Sequence, residues 1–363
     1  MCPCVTCFYP DVQCAPPGSE ESCNAKMVPC PLVENDTILQ QPADLLTLTE
    51  KYVQAAKSII KTNADQSQPF FLYFAFQHTH QPQFASEKFT NSTLRGPFGD
   101  SLANLDWAVG EVMSTLKLYG LDDNTFVFFT SDNGPAQIHE RRGGNAGLLR
   151  CGKGTTWEGG MREPAIARWP GKIKPGKTTE LAATIDLFPT IARLTGAAMP
   201  NNVTIDGIDM SPFLFGNGTS DRDYYVYYST EPVSEMGPAA VRWTHYKAHF
   251  HSKGGLSPDV YPDEVCRANY PLHYYDPPLL YDLNQDPGEI YNLKLDEHVQ
   301  VMENIEKIRD YFQSTVVFGV SQVDSGVSDD AELCAKPGCS PFPSCCTTKT
   351  PSSHWDTFYR PHP

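Results

Sequence analysis

Asp132 and Asn133 set a carboxylate beside an amide oxygen, directly after the apolar run Phe126-Val-Phe-Phe129. A short run of that kind predicts a strand buried on both faces, as in a parallel sheet covered by helices. Gly134-Pro135 then turns the chain. Ligands of open α/β sheets bind beyond the carboxyl ends of the strands. Hard oxygen donors there suit Ca²⁺ or Mg²⁺. The alternative is an Asx turn that only closes a strand.

A second apolar run, Phe70-Phe-Leu-Tyr-Phe-Ala-Phe76, has the same design and ends in Gln77-His78-Thr79-His80-Gln81-Pro82. Histidines at i, i+2 on extended backbone share a face, and one of the two is expected to meet a site. Lys153 stands between Gly152 and Gly154 in the long loop 134–160. Glycines let backbone approach a ligand closely, and a lysine held there can offer a cation to an anionic substrate. A solvated surface lysine is the other reading. The order of residues is not that of a Walker A loop.

These groups need elements to hold them. Leu46, Leu48, Tyr52, Ala55, Ile59 and Ile60 predict a helix over Leu45–Lys61. Leu102, Leu105, Val109, Val112, Met113 and Leu116 predict another over Asp100–Leu118, with Asp100 or Ser101 as its cap. Strand, helix and strand in that order form a βαβ unit with a parallel pair. Pro164–Trp169 reads as a strand, and Thr184–Thr195 as a helix stopped at Gly196. Short aromatic strands follow at Tyr224–Tyr228, Ala240–Phe250 and Leu279–Leu283, the texture of an antiparallel sheet. A last helix spans Glu297–Phe312. The expected division is 1–210 as an α/β domain opening with a Cys-rich loop, 211–330 as a smaller antiparallel domain with one helix, and 331–363 as a Cys-rich tail.

The 363 residues are 40% hydrophobic and carry a formal net charge of -15. That length suggests about two domains. No basic footprint is present, which argues against nucleic-acid binding. No apolar run approaches the length of a transmembrane segment. The opening Met-Cys-Pro-Cys carries no signal-peptide core. Yet ten of the 12 cysteines are clustered, at Cys2, Cys4, Cys7, Cys14, Cys23 and Cys30, and again at Cys334, Cys339, Cys345 and Cys346, with Cys151 and Cys266 alone between them. This predicts disulfides of an oxidising compartment over a zinc site. Sequons at Asn35, Asn91, Asn202 and Asn217 agree with a secretory route. The chain therefore reads as part of a longer secretory protein.

Several blocks, in order, are similar to the sulfatase family. They are Phe76-Gln-His78-Thr-His80-Gln-Pro82, Arg95-Gly-Pro-Phe-Gly-Asp100, Thr130-Ser-Asp132-Asn133-Gly134-Pro135, Leu149-Arg-Cys151-Gly-Lys153-Gly, Glu158-Gly-Gly-Met-Arg162-Glu-Pro164, Tyr246-Lys-Ala-His-Phe250 and Leu280-Tyr-Asp282-Leu-Asn-Gln-Asp286-Pro-Gly-Glu289. The resemblance covers essentially the whole chain. It implies an alkaline-phosphatase/sulfatase-like mixed sheet flanked by helices, incomplete here, plus the smaller antiparallel sheet. It implies hydrolysis of sulfate esters, with sulfated galactolipid as a substrate. It implies one Ca²⁺, for which Asp132 and Asn133 match ligands. Lys153 matches the lysine that contacts the sulfate and the leaving oxygen, and His80 the histidine that contacts sulfate and donates a proton. His78 is expected to be structural. The resemblance further implies a Cys151–Cys266 disulfide, lysosomal delivery and homo-oligomers.

One departure is decisive for the expected activity. The family nucleophile is a formylglycine made from Cys in Cys-x-Pro-Ser-Arg, and that motif does not occur in the sequence. The resemblance places the Asp-Asp pair that completes the metal site, after the first strand, and a Lys-x-His segment in the same N-terminal part of the family fold, which is expected to lie outside this sequence. The chain is thus expected to carry about half of an active site and to turn over no substrate alone. Two other readings are a phosphoesterase of the same broad fold, using Ser or Thr, and a non-enzymatic protein that keeps the sulfatase core.

Overall fold

A computed structural model describes residues 32–35, 37–40, 43–80, 83–137, 143–216, 218–229, 236–255, 266 and 272–319. Both terminal cysteine clusters and Asn217 lie outside these residues. The chain divides into two compact units, one comprising Met1–Leu121 with Val320–Pro363, the other Asp122–Gly319.

In the first unit, a hairpin pairs β1 (Leu32–Glu34) with β2 (Thr37–Gln40). Helix α1 (Leu45–Asp65) starts where the Asp44 carboxylate accepts the Leu46 N–H at 3.1 Å, an N-cap that satisfies one orphan donor. Its Leu48, Val53, Ala56 and Ile60 are buried, a spacing that makes one apolar stripe. Helix α2 (Pro97–Leu118) packs against α1 and buries Leu105, Ala108 and Leu116. Lys57 and Glu111 bridge the two helices at 2.8 Å.

The start of α2 differs from the expectation. Pro97, with its fixed φ, opens the helix, and Asp100 is not its cap. The Asp100 carboxylate is buried in the first turn and accepts the N–H groups of Asn91 (2.8 Å) and Thr93 (2.9 Å), tying down the preceding loop. A larger difference concerns residues 70–76. They alternate between half-buried and exposed as a strand would, with Phe71 70% and Tyr73 82% exposed, but form no strand. Among the described residues no strand lies alongside them, and a strand exists only through its ladder.

In the second unit, β3 (Val127–Thr130) pairs antiparallel with β4 (Ala165–Arg168), Val127 facing Arg168 and Thr130 facing Ala165. The expected parallel βαβ pair is therefore not formed among the described residues. Arg168 grips both oxygens of Asp122 at 2.8 Å. Helix α3 (Glu158–Met161) is a single turn, and α4 (Leu187–Thr195) ends at Gly196 with a left-handed φ of 73°. Before α4, the buried Asp186 carboxylate receives Arg222 Nε (2.9 Å) and the N–H groups of Ala183 and Ile208 (both 2.8 Å). After the short α5 (Ser211–Leu214) comes a sheet of order β5-β6-β7-β8: Tyr224–Tyr227, Ala240–Trp243, Tyr246–Lys253 and Leu272–Asp282.

Alternation along these strands separates two cores. Val241, Ala248 and Leu280 point to α6 (Val299–Thr315) and pack on Met302 and Ile305. Tyr281 points the other way, joining Leu283, Trp157, Cys151 and Cys266. The sheet thus carries a helix on one face and the loop bearing Lys153 on the other. Among the described residues no helix is long and apolar enough to cross a membrane.

Candidate functional site

Asp132 lies exposed just beyond the end of β3, and Asn133 beside it is half-buried. Asn133 Nδ2 donates to Gly134 O (3.0 Å), and Ser131 Oγ donates to Asn133 O (3.1 Å), which shapes the turn. Lys153 is half-buried, and its backbone N–H donates to Pro135 O at 3.0 Å. The α3 turn joins them: Gly134 N–H donates to Gly160 O (3.0 Å), and Gly159 N–H to Arg150 O (2.8 Å). These segments touch backbone to backbone. A Cβ on Gly134 would sit 1.8 Å from Gly159 O, and one on Gly152 would sit 2.2 Å from Pro135 O. Cys151 and Cys266 are disulfide-bonded, with their Cα atoms 5.2 Å apart.

Glu163 stands next to this turn. Burial pushes its carboxyl up to about 7, a Ser131 hydrogen bond opposes this, and the nearby Asp132 charge adds to it. Its Oε1 is buried with no hydrogen-bond partner. Asp132, Asn133 and this orphaned oxygen are hard donors of the kind Ca²⁺ takes, though Ca²⁺ takes about six to eight of them. Among the described residues no cluster of three or more His, Cys, Asp or Glu is close enough to hold a metal ion. The residues present fit Ca²⁺ as one side of its shell.

His78 and His80 belong to the first unit. His78 Nε2 lies 3.2 Å from Thr49 Oγ1, and its ring packs edge-on against Phe84 with centroids 4.5 Å apart. Burial lowers its pKa to about 4, so it is neutral near pH 7. His80 is the exposed member of the pair, with its N–H on Gln77 O at 2.9 Å. Asn35, Asn91 and Asn202 are exposed, as an acceptor of a bulky glycan must be.

The sequence reading missed the groups beneath the lysine loop. Lys247 Nζ lies 2.9 Å from Glu158 Oε1 and 3.2 Å from Glu289 Oε1. His249 Nε2–H donates to Glu289 Oε1 (2.7 Å), and the Glu158 N–H to Glu289 Oε2 (2.6 Å). Arg150 donates to the carbonyls of Glu289 (2.9 Å) and Gly255, and its guanidinium lies 3.9 Å over the Trp157 ring. Trp157 stacks on His249 at 4.0 Å. Burial alone would raise Glu289, but Lys247, His249 and the Glu158 N–H outweigh it and bring its pKa to about 2. Burial would likewise lower Lys247, yet Glu158 and Glu289 hold it above its ordinary value. The available signal was Lys247 and His249 at i, i+2 on one strand, which places them on one face.

Backbone hydrogen bonds thus join the glycine-rich loop of Lys153 to the Asp132–Asn133 turn beyond β3. Residues 18–197 match the family described as Sulfatase, and residues 220–347 the C-terminal region of aryl-sulfatase. Arylsulfatase A of Bos taurus is 46% identical over 95% of this chain and 68% of its own length. Arylsulfatase A of Homo sapiens is 44% identical over 96% of this chain and 69% of its own length. The solved PsFucS1 sulfatase of Pseudoalteromonas superimposes with a TM-score of 0.67 at 28% identity, covering 75% of this chain and 55% of that one. The chain belongs to the sulfatase family, and its fold class is the alkaline-phosphatase-like α/β frame with a smaller C-terminal antiparallel sheet.

Proposed function

We propose that this chain contributes the cation and oxygen-donor side of a sulfatase site that hydrolyses sulfate esters, sulfated galactolipids among them. The observation that carries this is the Lys153 N–H to Pro135 O bond at 3.0 Å, which fastens the lysine to the Asp132–Asn133 turn. Asp132 and Asn133 would hold Ca²⁺, which would supply positive charge to the sulfate oxygens. Lys153 neutralises the ester's charge and steadies the oxygen that gains charge as its bond to sulfur breaks. For His80, in the first unit, a proton-donor role is supported by the family resemblance alone. The formylglycine nucleophile belongs to a Cys-x-Pro-Ser-Arg segment outside these 363 residues. The working division is 1–210 with the site, 211–330 as the smaller domain and 331–363 as the tail. The reading extends to a lysosomal glycoprotein, glycosylated at Asn35, Asn91, Asn202 and Asn217, that acts as a homo-oligomer.

The test is turnover of p-nitrophenyl sulfate. The chain alone is expected to show none. A version extended with the Cys-x-Pro-Ser-Arg segment is expected to be active and to lose about 10²–10³-fold in kcat on Lys153→Ala. Turnover by the short chain, or an extended enzyme indifferent to Lys153→Ala, overturns the assignment.

A further inference from the structure

Lys247, His249 and Glu289 are fully buried, at 0% exposure, and Glu158 is nearly so. None can meet a solvent-borne ligand. A buried ionic cluster is a poor source of stability, because desolvation offsets most of the attraction and apolar residues of equal volume often do as well. Its distinctive property is direction: each group is held by partners at fixed angles. The cluster also sits on strained backbone. Glu289 and Cys151 hold left-handed φ angles of 54° and 57°, rare for residues with side chains.

We propose that Glu289 is a positioning residue for Lys153 and for the Asp132–Asn133 turn, acting through α3. The proposal rests on the sulfate-ester reading of the site. The path is continuous. Glu289 Oε2 takes the Glu158 N–H (2.6 Å) and so fixes the first residue of α3. Lys247 holds the Glu158 carboxylate from the other side (2.9 Å). The glycines of α3 then reach both halves of the site, Gly159 binding Arg150 O (2.8 Å) and Gly160 O receiving Gly134 N–H (3.0 Å). Pro135 O closes the path on the Lys153 N–H (3.0 Å). The Glu289 main chain holds Arg150 as well (2.9 Å), so one residue braces both ends of the lysine loop. His249, donating to Glu289 Oε1 (2.7 Å), keeps that carboxylate turned toward α3.

The experiment compares the 363-residue chain with Glu289→Gln, Lys247→Arg and Lys153→Ala. It reads hydrogen exchange at the Gly134 and Lys153 amides and the affinity for inorganic sulfate by calorimetry. Glu289→Gln is expected to speed exchange at both amides by about tenfold or more, with β3 amides unchanged, and to weaken sulfate binding by about fivefold. Lys247→Arg keeps the charge but adds bulk where exposure is 0%, so it is expected to lower the melting temperature while the two amides change less than in Glu289→Gln. If Glu289→Gln lowers the melting temperature but leaves the two amides within about twofold of wild type, the proposal is overturned. If Glu289→Gln does not fold, the double variant Lys247→Met/Glu289→Gln, which removes one charge of each sign, is judged by the same criteria. Wild-type chain that binds no sulfate, with Lys153→Ala no different, defeats the sulfate-ester reading; the exchange data still decide the positioning role.

Discussion

Among single residues, His78 makes the clearest demand on conditions. Its imidazole is packed on Phe84 and held by Thr49, and its pKa falls from 6.5 to about 4 because burial penalises the charged form. Between those values the unfolded chain binds a proton that the folded chain refuses. Stability contributed by the neutral ring is therefore complete above about pH 6.5 and is lost as pH falls toward 4, at about 1.4 kcal/mol per pH unit. His249 shifts in the same direction, mainly through burial. Urea unfolding at a series of pH values should show this slope in the first unit, and His78→Gln should flatten it. A slope unchanged by His78→Gln would mean that another group titrates. The same comparison separates the two histidines of the Gln77–Pro82 segment. Their i, i+2 spacing would put both on one face of a strand, and only the tertiary contacts of His78 show that it is the one inside.

At the level of elements, the stitching of turn, loop and α3 depends on glycine for space. Gly134 has no room for a methyl group, since a Cβ there would meet the Gly159 carbonyl at 1.8 Å. Gly134→Ala should force the turn away from α3, break the Gly134 N–H to Gly160 O bond and cost about 1–3 kcal/mol. Thermal unfolding checks the cost, and exchange at the Lys153 amide checks whether the loop moves with the turn. An unaltered melting point would mean that the turn has another place to go. What the sequence reveals at this scale follows from range. Helices α1, α2 and α6 announce themselves by apolar spacing within one turn of each other, and β4 and β5 by short β-rich runs. Residues 70–76 carry as strong a strand pattern, but a ladder needs a neighbour that local pattern cannot supply. Ala240–Phe250 reads as one strand because the tight turn between Trp243 and Tyr246 lacks a Gly or Pro signal. Lys247 and His249 look like the wet face of β7. Their partners Glu158 and Glu289 lie 89 and 40 residues away, so only the fold makes that face dry. Asp132, Asn133 and Lys153, by contrast, stand in compact motifs, so the sequence alone puts them forward as candidates.

For the molecule as a whole, the Cys151–Cys266 bond joins positions 115 residues apart, all within the second unit. A crosslink acts largely by restricting the unfolded chain, and a loop of this length corresponds to about 4–5 kcal/mol in the chain-entropy account, against about 2–5 kcal/mol typically measured. The bond also lies in a core with Trp157, Tyr281 and Leu283, so its loss disturbs packing beneath the lysine loop. Reduction, or Cys266→Ser, should therefore lower the unfolding free energy of the second unit by about 2–5 kcal/mol. The effect should be local. Amides of loop 150–160 and of β8 should exchange faster, while those of α1 and α2, which pack on each other in the first unit, should not. Two transitions in the reduced protein, only one of them shifted, would bear this out. If protection falls in α1 and α2 to the same extent, the chain unfolds as one cooperative body, and the contact division at Leu121 and Asp122 has no thermodynamic counterpart.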